Sequence, residues 1–152
     1  MKDFKKILVP VDLSDTSPKL VPYVVTMARK FDAQVHLLFV ARVFDYFVGL
    51  DVPYPSIQQF QSEVIKGAED KLAVFKAELS EQIPRIKSKV ANGDIAEEIL
   101  TYIEAEHIDL LLMATHGRKG IDKVIFGSIA EQMVKTAPVP VFLVNPYKIK
   151  NS

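Results

Sequence analysis

The apolar positions of the chain alternate between two patterns, short continuous runs and longer stretches of helical spacing. Residues 6–11 form a continuous run, the length of a strand buried on both faces. Leu20, Val24, Met27, Ala28 and Phe31 then share one helical face. They follow a Thr16-Ser17-Pro18 start signal, with Ser17 the expected cap and Pro18 the first helical residue. Pro22 lies past the first turn, so either the start lies elsewhere or the helix kinks there. Residues 34–40 are a second strand-length run, and residues 41–55 form a long loop carrying Phe44, Tyr46, Phe47 and Tyr54.

Ser56 with Gln59 makes a capping box, and Ile57, Phe60, Val64, Ala68, Leu72, Phe75 and Leu79 predict a long amphipathic helix reaching about residue 82. Residues 85–90 alternate with lysines outward, as an edge strand does. Asp94 with Glu97 opens a third helix, ending near Glu106, and residues 110–114 are another doubly buried run. A loop is expected over 115–127 and a helix from Ser128, where Ser128 and Glu131 form a box, to near Thr136. The last strand runs from Val139 to Val144, and Pro140 inside it predicts an edge, because proline removes a ladder donor. Strands separated by helix-sized segments specify an α/β fold: a single doubly wound five-stranded parallel sheet over residues 1–152, with helices on both faces.

Composition narrows the chemistry. Nineteen basic and nineteen acidic side chains cancel, which argues against a general nucleic-acid binder, since tracking phosphates needs a basic excess. The chain has no cysteine, so disulfides, thiolate metal sites and thiol nucleophiles are excluded. No apolar stretch approaches the ~20 residues of a membrane span, and the short run at residues 7–11 does not make a leader. The expected location is the cytoplasm, with no membrane partner.

Ligands of doubly wound sheets bind beyond the carboxyl ends of the strands, where strand order reverses. The loops after strands 1 and 4 are therefore the candidates. Three of the six glycines fall between positions 117 and 127, alongside Arg118, Lys119 and Lys123. Glycine permits close backbone approach, and a helix start offers free N–H groups to a phosphate. Each part alone has an ordinary explanation: turn glycines, a capping Ser128, a solvated basic loop, Asp12 as a turn residue. Together they point to an anion or nucleotide. The segment after strand 1 has no glycine, so the dinucleotide fingerprint is missing, and no P-loop occurs. A receiver domain also fails, because strand 3 is followed by Ala91-Asn92-Gly93 and strand 5 by Asn145-Pro146. His36 reads as a structural histidine on a buried strand. His116 is either a ligand-facing or an ordinary loop histidine. No catalytic base and no metal-ligand spacing can be named.

The residues resemble the universal stress protein family throughout. The likeness rests on Ile7-Leu8-Val9-Pro10-Val11-Asp12, on residues 90–96, and on Ala114-Thr115-His116-Gly117, nine residues, Gly127-Ser128, then Pro138-Val139-Pro140-Val141. Nucleotide-binding members carry Gly-x-x-Gly, nine residues, then Gly-Ser or Gly-Thr. Ala114 stands here for the first glycine, and a methyl group is the smallest intrusion.

The resemblance implies strand order 3-2-1-4-5 and a site for ATP or AMP, any magnesium arriving through the phosphates. Asp12 would meet the adenine or ribose, with Pro10 and Val11 walling the pocket and the Val40 backbone at the adenine edge. Ala114, Thr115, His116, Gly117, Arg118, Lys119 and Gly120 would wrap the ribose and phosphates, and Gly127, Ser128 and Ile129 would hold the phosphate tail. It also implies a homodimer through the last strand. The function expected is a nucleotide-binding stress regulator or sensor. The alternatives are a nucleotide-independent dimeric interaction module and a slow ATPase.

Overall fold

The computed structural model describes residues 2–42, 53–116 and 121–148, and among these the side chains of Tyr54 and of residues 121–126 are left aside. The order is β1 (Lys6–Pro10), α1 (Ser17–Phe31), β2 (Gln34–Ala41), α2 (Tyr54–Ser80), β3 (Ile86–Asn92), α3 (Ile95–Ala105), β4 (Leu110–Ala114), α4 (Ile121–Thr136) and β5 (Val141–Val144). The five strands form one parallel sheet in the order β3-β2-β1-β4-β5. Right-handed crossovers in this order set α1 and α2 on one face and α3 and α4 on the other. The direction of winding reverses between β1 and β4. Among the described residues, no helix is long and apolar enough to cross a membrane.

Burial follows position in the sheet. Ile7, Leu8 and Val9 of β1 and all of β4 are buried on both faces, as their unbroken apolar runs require. At the edge, β3 exposes Lys87, Ser88 and Lys89, and charged side chains there discourage pairing with another chain.

Four local expectations are corrected. Thr16, not Ser17, occupies the cap position of α1; its side chain makes no cap bond, because the hydroxyls of Thr16 and Ser17 turn towards Asp12 instead. Pro22 sits within α1, which starts at Ser17 and continues to Phe31, so it does not move the helix start elsewhere. Helix α2 starts at Tyr54 behind Pro53, whose carbonyl accepts from the Ser56 and Ile57 amides, so Ser56 and Gln59 do not form its cap. Strand β5 begins at Val141, one residue beyond Pro140. Pro140 therefore removes no donor from the strand, and its carbonyl accepts from the Leu111 amide. The edge position is nevertheless observed. The Asp94 cap holds as expected, its carboxylate accepting from the Glu97 amide at 3.0 Å.

His36 is the polar residue at the centre of the core, with no exposed surface. Its Nε2 meets the Gln34 carbonyl oxygen at 2.8 Å, and its Nδ1 meets the Tyr102 hydroxyl at 2.6 Å across the α3 face. An amide oxygen only accepts, so Nε2 carries the proton and neutral Nδ1 accepts from Tyr102. Burial lowers the His36 pKa; Glu106 opposes this, while Lys87 and Lys6 reinforce it. Burial, with help from Glu106, pushes the Tyr102 phenol up to about 12, so it stays a donor. The unfolded chain therefore takes up the His36 proton first as pH falls below about 6.5, and stability declines from there towards the lower folded pKa. Urea midpoints compared at pH 7.5 and 5.5 should fall for the wild type. His36→Leu should be less stable at both, with a smaller drop between them.

Candidate functional site

The carboxyl ends of β1, β2 and β4 finish nearly level. Pro10 pairs with Leu38, and the Val11 amide donates to the Leu38 carbonyl at 2.9 Å. Val40 lies two residues beyond that pair and Asp12 two beyond Pro10. On the other side, Leu8 pairs with Leu111, and continuing the register sets Val11 level with Ala114. Pro10, Val11, Val40 and Ala114 are buried, while Asp12, Thr115 and His116 are partly open. The sheet therefore brings the Asp12 and Ala114–His116 backbones to its switch point, where doubly wound folds place ligands.

Asp12 is a turn organiser. Its Oδ1 accepts from the Ser14 amide at 3.0 Å, the Ser14 hydroxyl at 2.6 Å and the Ser17 hydroxyl at 3.2 Å, with the Thr16 hydroxyl at 3.4 Å. Leu13 takes a left-handed conformation, φ 60°, to let the chain fold back over the carboxylate. Thr16 and Ser17 are each only 2% exposed, so this carboxylate satisfies hydroxyls that have little access to water. This is the turn role that the sequence offered for Asp12 beside the ligand-facing one implied by the resemblance.

The second strand end is built by Thr115 and His116, whose Oγ1 and Nδ1 are hydrogen-bonded at 2.8 Å. Tyr147, after β5, packs edge-on against the His116 ring at 5.8 Å and carries the Lys19 ammonium 5.3 Å from its centroid. Packing and the carboxylates of Asp15 and then Asp12 push the Tyr147 phenol up. Sequence reasoning missed Tyr147 and Lys19. The signal available was position, since Tyr147 follows the carboxyl end of a strand adjoining the switch point.

The glycine-loop expectation changes most. Gly117, Arg118, Lys119 and Gly120 lie outside the described residues. Helix α4 begins at Ile121, so Gly127, Ser128 and Ile129 lie inside it, and Ser128 is not its cap. The free N–H groups expected at Gly127-Ser128 are not available to a phosphate in this helix, because interior amides bond within it. Gly127 has a packing reason instead: a Cβ there would stand 3.3 Å from the Thr115 carbonyl oxygen. The helix thus passes close over the end of β4.

The fold is therefore a doubly wound α/β one whose β1/β4 switch point gathers the polar residues Asp12, Thr115 and His116. The universal stress protein family model matches residues 3–145, and the chain belongs to that family. It is 33% identical over 146 residues to universal stress protein MJ0531 of Methanocaldococcus jannaschii, covering 95% of this chain and 84% of that one. The solved structure of MJ0577, 27% identical, superposes with a TM-score of 0.79 over 99% of this chain and 100% of that one. A universal stress protein solved with cAMP, 15% identical, shares the fold at a TM-score of 0.61 over 95% of this chain and 99% of that one. One from Archaeoglobus fulgidus solved with dAMP, 14% identical, does so at 0.59 over 95% and 100%.

Asp12→Ala should destabilise the protein by about 1–3 kcal/mol even without ligand, because it strands the loop's buried donors. Chemical unfolding of the ligand-free protein measures this, and an unchanged stability would show that the loop does not depend on the carboxylate. Ser128→Ala should change stability by less than about 0.5 kcal/mol, where removal of a true cap costs about 1 kcal/mol. Gly127→Val should cost about 1–3 kcal/mol by overpacking against Thr115. Thermal melts of the two variants separate a mid-helix position from a cap.

Proposed function

We propose that the protein binds an adenine nucleotide, ATP or AMP, in the switch-point crevice and acts as a nucleotide-responsive regulator or sensor in a stress response. The observation that carries this reading is the meeting of the β1, β2 and β4 carboxyl ends at the switch point, with α4 passing close to the Thr115 carbonyl at Gly127, in a chain of this family. Two family members of the same fold are described as complexes with cAMP and dAMP. In this proposal Pro10, Val11 and Val40 wall the base, and Asp12 fixes the loop beside the ribose. Ala114, Thr115, His116, Gly117, Arg118, Lys119 and Gly120 follow the ribose and phosphates. Gly127, Ser128 and Ile129 lie on α4, which passes close to Thr115. Any magnesium is held through the phosphates.

Ligand that binds only the folded state raises its stability by RT ln(1 + [L]/Kd), about 2.7 kcal/mol at a hundredfold excess over Kd. Millimolar ATP or AMP should therefore raise the melting temperature, and mass spectrometry of nucleotide released from the purified protein should identify which is carried. No rise with either, and no released nucleotide, would leave the interaction-module reading in possession.

The proposal includes a homodimer through β5. This strand ends the sheet, and Leu143 on it is 37% exposed, an apolar edge that needs a partner to avoid uncontrolled association. Sedimentation should show a dimer at micromolar concentration, and Leu143→Glu should shift it to monomer. A wild-type monomer would refute the pairing.

A further inference from the structure

The chain beyond β5 turns back over the end of β4. The two strands end level, Ala114 beside Val144, and the Thr115 amide donates to the Val144 carbonyl at 2.8 Å. Asn145-Pro146 then makes a turn. The Asn145 side-chain oxygen accepts from the Tyr147 amide at 3.0 Å, and its carbonyl accepts from the Lys148 amide at 3.2 Å. Pro146 is buried and fixes its own φ, which leaves this turn little freedom. Tyr147 is thereby set against His116, with ring centroids 5.8 Å apart and planes at 68°. Helix α1 holds the same segment: Lys19 and Tyr23, one turn apart on it, meet Tyr147 and Phe142 respectively.

His116 is fixed at one ring nitrogen and open at the other. Its Nδ1 lies 2.8 Å from the Thr115 hydroxyl. With Nδ1 as donor, the partly buried hydroxyl would keep an O–H that has no acceptor among the described residues. With Nδ1 as acceptor, both groups are used, and Nε2 carries the single proton of the neutral ring. Among the described residues no hydrogen bond reaches Nε2, and the side chain is partly open. A free N–H on a fixed ring at the end of β4 suits a ligand group that only accepts, and a phosphate oxygen is one.

We propose that His116 sets the preference of the switch-point site for a phosphorylated over an unphosphorylated nucleoside, donating from Nε2 to a phosphate oxygen, and that Tyr147 is the positioning residue that holds its ring for this. The proposal rests on the nucleotide reading above. A ring free to turn would lose that freedom on binding, whereas contact with Tyr147 removes it beforehand. Tyr147 touches no ligand in this arrangement and acts through His116.

The test measures AMP and adenosine affinities by calorimetry, and records the nitrogen-15 shifts of the His116 ring in ligand-free protein at about pH 8. His116→Ala should weaken AMP at least about tenfold, the loss of one hydrogen bond to a charged group, and adenosine less than about twofold. Tyr147→Ala should weaken AMP about two- to tenfold, the worth of an aromatic pair. Tyr147→Phe should restore it, because the ring makes the contact. In the His116→Ala background Tyr147→Ala should add no further loss, where a separate role would add its own. Without ligand, wild type and Tyr147→Phe should show one Nε2-protonated tautomer, and Tyr147→Ala exchanging tautomers. Equal losses of AMP and adenosine in His116→Ala, an additive double variant, or wild-type ring shifts in Tyr147→Ala would each overturn the proposal and leave the nucleotide reading intact. A wild type that binds neither AMP nor ATP would overturn the nucleotide reading and the phosphate contact with it, and the ring shifts would then decide on their own whether Tyr147 positions His116.

Discussion

The central strands β1 and β4 are buried on both faces, which leaves their carboxyl ends as the places where their polar backbone turns out of the core. Ile7, Leu8, Val9 and the whole of β4 are enclosed between helical layers. Backbone groups within the strands are consumed by the ladder, and those just beyond it must be satisfied by loops, water or ligand. The β1 loop solves this internally, by turning Leu13 into a left-handed conformation and gathering Ser14, Thr16 and Ser17 around one oxygen of Asp12. The β4 end solves it by pairing the Thr115 amide with the Val144 carbonyl and by drawing α4 close at Gly127. The switch point lies between the two solutions.

This changes the part played by individual residues. A carboxylate that accepts from its own loop holds that loop in shape. A glycine at 127, where a Cβ would stand 3.3 Å from the Thr115 carbonyl oxygen, lets α4 pass close over the end of β4. In both cases substitution acts first on the fold of the loop and then on anything bound there. Stability measured without ligand is therefore the reference against which any binding loss has to be read.

Strand positions, the parallel α/β architecture and the five-strand order were legible because doubly buried strands have a signature that depends on little else: short unbroken runs at helix-sized intervals. The resemblance added the order that periodicity alone leaves open. Helix starts were less legible. Ser56 with Gln59 and Ser128 with Glu131 have the spacing of capping boxes, yet both lie inside longer helices. A serine three residues before a Gln or Glu also occurs inside helices, and such a pattern marks a start only if the chain before it is non-helical. Asp94 met that condition, since Gly93, with φ 152°, precedes it. Of the candidate site, the strand-end residues were placed together, but Tyr147 and Lys19 were not foreseen because their contact joins segments 128 positions apart, carries no motif and depends on where β5 ends.

The charges at the strand ends give the crevice a direction. Asp12 and Asp15 sit on the β1–α1 loop, and Tyr147 registers both. Lys19 stands over the same ring, so the described part of the crevice is mixed in charge on its β1 side. A nucleotide concentrates its negative charge at one end and leaves its base neutral and rich in hydrogen-bonding edges. Under the proposed function, the base and ribose suit the β1 side, where carboxylates tolerate neutral donors. The phosphates suit the β4 side, away from Asp12 and Asp15. The reverse orientation would set phosphate against two carboxylates in a partly buried site, where like charges repel more strongly than in water. A chain with no net charge is therefore not barred from a polyanion under the proposed function, because local charge, rather than the sum, sets which end of a ligand enters where.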